Sequence, residues 1–246
     1  MFKTLEEKFE IKTYQCSEFG TFKLKTLFDY LQELASDHAD KIGVGYEECL
    51  KKNCAWVCAK YHLVINSFPK LKDKISIETW PSKFIGPTGI REFVVKNDNG
   101  DILIKAVSQW VLIDIKRLRP VITQNVFDCS KIEPGEELGI TLDKIPPMSN
   151  EDVQVVEHSL RYDDVDVNHH INNAVYVALI EDSLMRKIKD EYIVNEVSVD
   201  FKKSAVLSDE KVLVKSKFGE DGADFTVSSV DGKVDFARVN VKYTKK

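Results

Sequence analysis

Sixteen residues in the second half of the chain read Arg161-Tyr-Asp-Asp-Val-Asp-Val-Asn-His-His-Ile-Asn-Asn-Ala-Val-Tyr176. Asp166, Asn168 and His170 recur there at every second position, so an extended backbone would place the three polar side chains on one face. A straight strand would spread them over about 13 Å, at about 3.3 Å per residue, so the segment must curl for all three to act on one atom. Asn172 and Asn173 suit such a turn, because asparagine tolerates left-handed backbone conformations and caps helices.

A helix is predicted directly after Asn173, over residues 174–189. Its buried stripe consists of Val177, Ile180, Leu184 and Ile188. The polar trio would then lie just before a helix N-terminus, where unpaired backbone N–H groups favour negative charge. A carbonyl under nucleophilic attack develops such charge, so Asp166, Asn168 and His170 are candidate catalytic residues. The alternative is structural, since Asp and Asn side chains often hold a turn by hydrogen bonds to the backbone.

The first half of the chain carries a helix followed by four strands. Apolar residues at three- and four-residue steps predict a helix over 25–42, ended by Gly43 and Gly45. His38 lies on its apolar stripe, which is typical of a core or interface histidine. Alternation and β-branched residues predict strands over 56–65, 75–80, 90–96 and 102–113, and Asp98-Asn99-Gly100 predicts a hairpin between the last two. A loosely alternating segment up to about Tyr14 could add an edge strand.

The second half repeats this order of elements. Strands are predicted over 153–160, 193–201, 211–218, 225–230 and 234–243, with a second hairpin at Asp231-Gly232. Between the halves, the Pro-rich residues 123–150 lose periodicity and predict a surface connector. The expected organisation is therefore an N-terminal domain over 1–130, a linker over 131–152 and a C-terminal domain over 153–246. One helix per four or five antiparallel strands indicates the α+β class.

The run around His170 resembles the acyl-acyl-carrier-protein (acyl-ACP) thioesterases, whose second half carries Asp-x-Asn-x-His-[Val/Ile]-Asn-Asn-x-x-Tyr. Asp164 matches a further acidic residue of that pattern. Shorter matches follow one another through the first half, at Trp56-Val57, Thr79-Trp80, Arg91-Glu92-Phe93, Ser108-x-Trp110 and Arg117-x-Arg119-Pro120. The resemblance implies a tandem hot-dog fold, in which two long helices are each wrapped by an antiparallel sheet and the two sheets are continuous. It also implies hydrolysis of fatty acyl thioesters, with the acyl chain held by the first domain and catalysis by the second.

Thioester hydrolysis needs a nucleophile, a proton acceptor and donors for the oxyanion. In the simplest model Asp166 or His170 takes a proton from water, and Asn168 orients its partner or donates to the carbonyl. Backbone N–H groups at the start of the following helix would stabilise the oxyanion. The plant members carry a Glu-Cys pair where this chain has Ser204 and Ala205. Since alanine cannot be a nucleophile, this difference disfavours covalent cysteine catalysis and favours activated water.

Candidate substrate-binding residues lie outside the trio. The basic run Lys116-Arg117-x-Arg119 suits a contact with phosphopantetheine or with the carrier protein, through Arg117 and Arg119. Leu31 could line an acyl tunnel, although a plain core is equally compatible with its position. Tyr176 could line the substrate site, but core packing is its simpler role.

Composition narrows the remaining choices. The net charge of −5 argues against nucleic acid as the main partner. Five cysteines without paired spacing indicate reduced thiols in a cytoplasmic protein, and neither a signal peptide core nor a membrane-spanning apolar run is visible. His169, His170 and Asp166 match no common zinc spacing, so neither a metal nor another cofactor is expected. The expected partner is acyl carrier protein bearing a phosphopantetheine-linked acyl chain, and a homodimer is possible.

Three other functions compete with this prediction. An acyl-coenzyme A thioesterase would use the same chemistry on an acyl chain carried by coenzyme A. A hot-dog dehydratase would also use histidine and an acid, but the Asp-x-Asn-x-His order disfavours it. A non-catalytic acyl-binding module is supported only by the absence of the Glu-Cys pair.

Overall fold

The structure, a computed structural model, describes residues 3–149, 151–189 and 191–246. The chain divides into two compact units. The N-terminal unit comprises Met1–Phe22 and Asp29–Leu142, and the C-terminal unit comprises Lys23–Phe28 and Asp143–Lys246. In the described part of the chain, no helix is long and apolar enough to cross a membrane.

The N-terminal unit is an antiparallel sheet with two helices. The helices are α1 (Leu24–Lys41), whose first turn falls in the other unit, and α2 (Tyr46–Lys51). The strands are β1 (Leu5–Glu10), β2 (Cys54–Ile65), β3 (Lys74–Ile85), β4 (Thr88–Asn97), β5 (Ile102–Asp114) and the short β6 (Arg119–Pro120). Their spatial order is β1-β3-β4-β5-β2, with β6 paired to β5.

The C-terminal unit repeats this plan with one helix, α3 (Asn173–Ile188). Its strands are β7 (Gln154–Ser159), β8 (Tyr192–Phe201), β9 (Lys211–Phe218), β10 (Gly222–Ser228) and β11 (Asp235–Lys245). Their spatial order is β8-β11-β10-β9-β7, all antiparallel. A helix against an antiparallel sheet in each unit is the α+β arrangement that the sequence predicts.

Both long helices form where hydrophobic periodicity places them. The predicted stripe of α3 is buried at all four positions. In α1, Leu27, Leu31 and Leu34 are also buried, so this helix contributes a continuous apolar face to a core. At its end Gly43 adopts φ +79°, and the Val44 N–H donates to the Ala39 carbonyl, a six-residue closure that needs the left-handed residue between.

Two elements differ from the sequence prediction. The short helix α2 was not predicted, because six residues are too few to show a hydrophobic period. Strand β3 continues past Trp80 to Ile85, although Pro81 follows. Its neighbour β1 pairs with β3 only as far as Thr79. Pro81 therefore lies beyond that pairing, where the missing proline N–H costs no hydrogen bond to β1. A bulge between Pro81 and Lys83 adjusts the register with β4.

The connector has no helix or strand over 133–149 and is fastened to the N-terminal unit by hydrogen bonds. The Gly135 N–H donates to the Pro81 carbonyl at 2.9 Å, the Trp80 indole N–H donates to the Glu136 carbonyl at 2.8 Å, and His62 Nδ1 lies 2.7 Å from the Thr141 carbonyl. The linker over 131–152 stays a prediction, and Asn150 within it lies outside the described residues.

Truncation of the α1 stripe tests this core. Leu34→Ala should lower the free energy of unfolding by about 2–5 kcal/mol, because it deletes buried methyl groups and leaves a cavity. Urea denaturation followed by circular dichroism measures the change. The neighbouring exposed Glu33 provides a matched control, since Glu33→Ala should stay within about 0.5 kcal/mol of the parent. Equal losses for both variants would contradict the assigned burial.

Candidate active site

The residues of the predicted catalytic run form one tight turn in the C-terminal unit. Val165 and Ile171 pair as an isolated antiparallel bridge. Inside it the Asp166 N–H donates to the His170 carbonyl at 2.8 Å, and the His169 N–H donates to the Asp166 carbonyl at 3.0 Å. His169 takes the left-handed conformation, with φ +61°. The chain therefore curls, as the two-residue spacing requires, and brings Asp166, Asn168 and His170 into a single loop.

Asp166 has a structural role within this loop. Its Oδ1 accepts the Asn168 N–H at 2.8 Å and the His170 N–H at 3.4 Å, so one carboxylate oxygen joins the backbones of the other two members. Asp166 is half-buried, whereas the side chains of Asn168 and His170 are exposed. The turn-holding role considered from the sequence is thus present in the structure, and it leaves an amide and an imidazole available to a ligand.

Buried Asp164, which precedes the turn, bonds to the residues on either side of it. Its carboxylate accepts the Arg161 backbone N–H at 2.7 Å and lies 3.4 Å from the Arg161 guanidinium. Its carbonyl accepts the Asn172 N–H at 2.9 Å, so the two ends of the loop are tied together. This explains why an acidic residue two places before Asp166 suits the motif.

The start of α3 is capped by the motif itself. Asn172 Oδ1 accepts the Ala174 N–H at 2.8 Å, and the Asn172 carbonyl accepts the Val175 N–H at 2.9 Å. Asn172 therefore caps the helix as predicted. The same bonds occupy two N–H groups that the sequence model assigned to an oxyanion, and for these two groups that expectation is wrong.

The segment where the plant enzymes carry Glu-Cys lies against this turn. The Ala205 carbonyl accepts the Ile171 N–H at 2.9 Å, and the Ala205 N–H donates to the Tyr176 hydroxyl at 2.8 Å. Ala205 is fully buried, whereas Ser204 is exposed. Sequence alone could not reveal this contact, because it joins three separate segments through one backbone unit.

Tyr176 belongs to the core of the C-terminal unit. Its ring stacks on Phe236 at 6.2 Å and tilts against Phe201 at 6.4 Å between centroids. Burial raises the pKa of its hydroxyl to about 12, so this group stays protonated near neutral pH. These contacts give Tyr176 a structural role, and its role in substrate binding stays a prediction.

The other predicted substrate residues lie in the N-terminal unit. Leu31 is fully buried on α1. Arg117 and Arg119 are exposed at the hairpin between β5 and β6, which is shaped by Asp114: its Oδ1 accepts the N–H groups of Lys116 and Arg117 at 2.9 and 2.8 Å. Both arginines therefore project from a defined turn.

The five cysteines are unsuited to nucleophilic chemistry. All are free thiols, and all but Cys129 are buried. Burial raises the pKa of Cys49, Cys54, Cys58 and Cys129 above the usual thiol value, which reduces their thiolate fraction near neutral pH.

Comparison with known families identifies the class of protein. The model of the acyl-ACP thioesterase N-terminal domain matches residues 3–128, and that of the C-terminal domain matches residues 148–245. The chain belongs to the acyl-ACP thioesterase family.

The relatives of known name include plant proteins. The chain is 28% identical over 223 residues to oleoyl-acyl carrier protein thioesterase 2 of Arabidopsis thaliana, a match that covers 83% of this chain and 60% of the relative. It is 26% identical over 217 residues to the palmitoyl-acyl carrier protein thioesterase of Gossypium hirsutum, covering 80% of this chain and 51% of the relative. The chain thus spans roughly half to three fifths of the length of these relatives.

Solved structures support the fold. An acyl-ACP thioesterase from Bacteroides thetaiotaomicron superposes with a TM-score of 0.87 at 20% identity, covering 98% of both chains. The 12:0-ACP thioesterase from Umbellularia californica gives 0.88 at 19% identity, covering 100% of this chain and 99% of the other. The chain therefore has the hot-dog units that its sequence predicts.

Removal of the Tyr176 hydroxyl tests the tie at Ala205. Tyr176→Phe should lower the free energy of unfolding by about 1–3 kcal/mol, because it leaves the buried Ala205 N–H without an acceptor. The matched control is Tyr162→Phe at a tyrosine that is 84% exposed, where a change of no more than about 0.5 kcal/mol is expected. Chemical denaturation measures the free energy of unfolding of both variants. A Tyr176→Phe variant as stable as the parent would contradict the assigned hydrogen bond.

Proposed function

We propose that the protein hydrolyses fatty acyl-ACP thioesters with water activated at Asp166, Asn168 and His170. The observation that carries the proposal is the single tight turn that joins these residues before α3, in a chain of the acyl-ACP thioesterase family. Amide, imidazole and carboxylate groups in one loop supply the proton acceptor and the polar donor that thioester hydrolysis needs.

The contacts of the turn suggest a division of roles. Asp166 Oδ1 already accepts two backbone N–H groups, so its first task is to hold the loop. His170 is exposed, and imidazole is the side chain best suited to proton transfer near neutral pH. We assign to His170 the removal of a proton from water as the water oxygen attacks the thioester carbonyl. When the C–S bond breaks, the same proton passes to the departing thiolate.

The oxyanion requires a donor other than the capped helix N–H groups. Ala174 and Val175 donate to Asn172, so their N–H groups are engaged. The exposed Asn168 carboxamide can donate two hydrogen bonds, and we assign to it the stabilisation of the developing charge. The N-terminus of α3 adds a favourable dipole.

Position 205 supports activated water over a covalent route. The residue there is a fully buried alanine, without a nucleophilic atom. The raised thiol pKa values of the cysteines point the same way.

Alanine substitution of the trio tests the catalytic assignment. Asp166→Ala, Asn168→Ala and His170→Ala should each lower kcat by at least about 100-fold, the usual scale for losing a general base or an oxyanion donor. Release of free thiol from acyl-ACP measures turnover, and circular dichroism checks the fold. His169→Asn is the control, because this exposed neighbour is outside the assigned chemistry and asparagine tolerates its left-handed backbone conformation, so kcat should stay near the parental value. Near-full activity of His170→Ala on every thioester tried would refute the site.

The carrier protein needs a positive contact surface, since the chain as a whole carries a net charge of −5. The hairpin Ile115-Lys-Arg-Leu-Arg119 provides three exposed cations, and Leu118 at its tip is 76% exposed. The adjacent Asp114 accepts backbone N–H groups of this hairpin. An acidic carrier protein would meet both charge and an apolar contact there. We propose this basic hairpin as the docking surface.

Charge reversal tests the docking surface. Arg117→Glu with Arg119→Glu should raise KM for acyl-ACP about tenfold and leave KM for the matching acyl-coenzyme A within about twofold, because steering by complementary charge acts on the protein partner. Lys233→Glu is the control, since this lysine is 81% exposed on a turn of the C-terminal unit. Equal effects on both substrates would remove the docking proposal.

A second function, hydrolysis of acyl-coenzyme A, requires the same turn and is decided by the same assay. Steady-state kinetics with acyl-ACP and acyl-coenzyme A of graded chain length would show which of the two acyl carriers gives the higher kcat/KM. A preference for coenzyme A at every length would overturn the carrier-protein proposal. A cytoplasmic location and a homodimer stay predictions.

A further inference from the structure

A polar row crosses the core of the N-terminal unit. In the strand register, Tyr61 on β2 lies opposite Ser108 on β5, and Ser108 lies opposite Arg91 on β4. Residues directly opposite one another share a face of the sheet. Tyr61 is 1% exposed and Ser108 is 0% exposed, so this row is enclosed by the unit rather than presented on its surface.

The row meets α1 through Arg91. Its Nη1 donates to His38 Nδ1 at 3.0 Å and to Thr79 Oγ1 at 3.2 Å, and both partners are fully buried. Since arginine can only donate, His38 Nδ1 must accept, which fixes His38 as a neutral imidazole with its proton on Nε2. The two contacts of Arg91 are therefore to uncharged groups.

The guanidinium has no carboxylate partner in the part of the chain that the structure describes. Burial lowers the pKa of Arg91 to about 10, which still leaves it charged near neutral pH. The adjacent Glu92 points its carboxylate elsewhere, to the Ser82 hydroxyl at 2.8 Å, as alternation along a strand requires. A buried cation without a counter-charge is costly.

Part of the guanidinium is also available. Across the described ranges, Nε and Nη2 of Arg91 have no hydrogen-bond partner, and the residue is 7% exposed, whereas His38, Thr79 and Ser108 are fully buried. Nε and Nη2 form one of the edges through which arginine grips an oxygen pair or a single strong acceptor. The surroundings are otherwise apolar, with Phe93 beside Tyr61 and Leu34 one turn before His38, both buried.

We propose that Arg91, with His38, Thr79 and Tyr61 around it, forms a site for an oxygen acceptor carried by the acyl chain. The fitting substrates are acyl thioesters whose chain bears a hydroxyl, a keto group or a terminal carboxylate. The apolar walls take the methylene groups, and the unused guanidinium edge takes the oxygen. This inference rests on the proposed function, because it assumes that an acyl chain is the ligand of the N-terminal unit.

Binding of non-hydrolysable ligands tests the site without relying on catalysis. The probes are pantetheine amides of saturated acyl chains, matched with chains that carry a hydroxyl or keto group at successive positions or a terminal carboxylate. Isothermal titration calorimetry on the intact protein should give at least one oxygenated chain a tenfold lower Kd than its saturated match. Equal affinity across the whole panel would overturn the proposal without any variant.

Two variants locate the selectivity. Arg91→Met keeps an unbranched side chain and should abolish the preference for the oxygenated ligand, with the saturated ligand bound equally or more tightly. The near-isosteric Tyr61→Phe should retain the fold and reduce the same preference. Lys96→Met on the same strand is the control and should keep the parental preference, since Lys96 pairs with Glu78. A preference that survives both Arg91→Met and Tyr61→Phe would refute the site.

Kinetics separate this inference from the proposed function. If the oxygenated amides bind through Arg91 but no thioester is hydrolysed, the Arg91 site stands and the enzymatic proposal fails. If thioesters are hydrolysed with no preference for an oxygenated chain and Arg91→Met changes nothing, the enzymatic proposal stands and the Arg91 site fails.

Discussion

One backbone unit, that of Ala205, holds the candidate active site together. Its carbonyl receives the Ile171 N–H from the turn, and its N–H reaches the Tyr176 hydroxyl on α3. A buried residue needs a partner for both its backbone N–H and its carbonyl, so these two bonds of Ala205 fix the turn and the helix relative to each other. The exposed groups of Asn168 and His170 depend on that fixed frame, because residues in a loose loop could not hold catalytic geometry.

This frame also explains the mixed character of the motif. Asp164, Asp166 and Asn172 direct side-chain oxygens to backbone N–H groups of the same loop or of α3, which is the usual work of Asx residues in turns. The side chains of Asn168 and His170 are left to solvent. The catalytic and turn-holding roles that the sequence left open are therefore divided among the residues of this run: some build the loop, and others are presented by it.

Periodicity predicts most of the fold because it records burial. The stripes of α1 and α3 and the alternating strands are set by which residues must leave water, and the structure reproduces them with boundaries shifted by a few residues. The short α2 and the passage of β3 through Pro81 were missed, since the first is shorter than two turns and the second depends on where β1 stops. The curl at the trio is predicted by the two-residue spacing, whereas the hydrogen bond from the Ala174 N–H to its cap Asn172 is visible only in the structure.

The two units differ in how much of their polar sites the sequence can predict. In the C-terminal unit the polar residues are contiguous in sequence, so one motif reveals them. In the N-terminal unit His38 and Arg91 lie fifty-three positions apart and meet only because α1 packs on β4. The sequence predicts a core or interface histidine at position 38, and its full burial agrees, but nothing in the chain indicates that a guanidinium is its partner. A buried cation among neutral groups is an electrostatic irregularity, and such irregularities concentrate where a protein meets a ligand. The hydrogen-bond acceptor that Nε and Nη2 of Arg91 lack within the unit is therefore the strongest reason to look for one on the substrate.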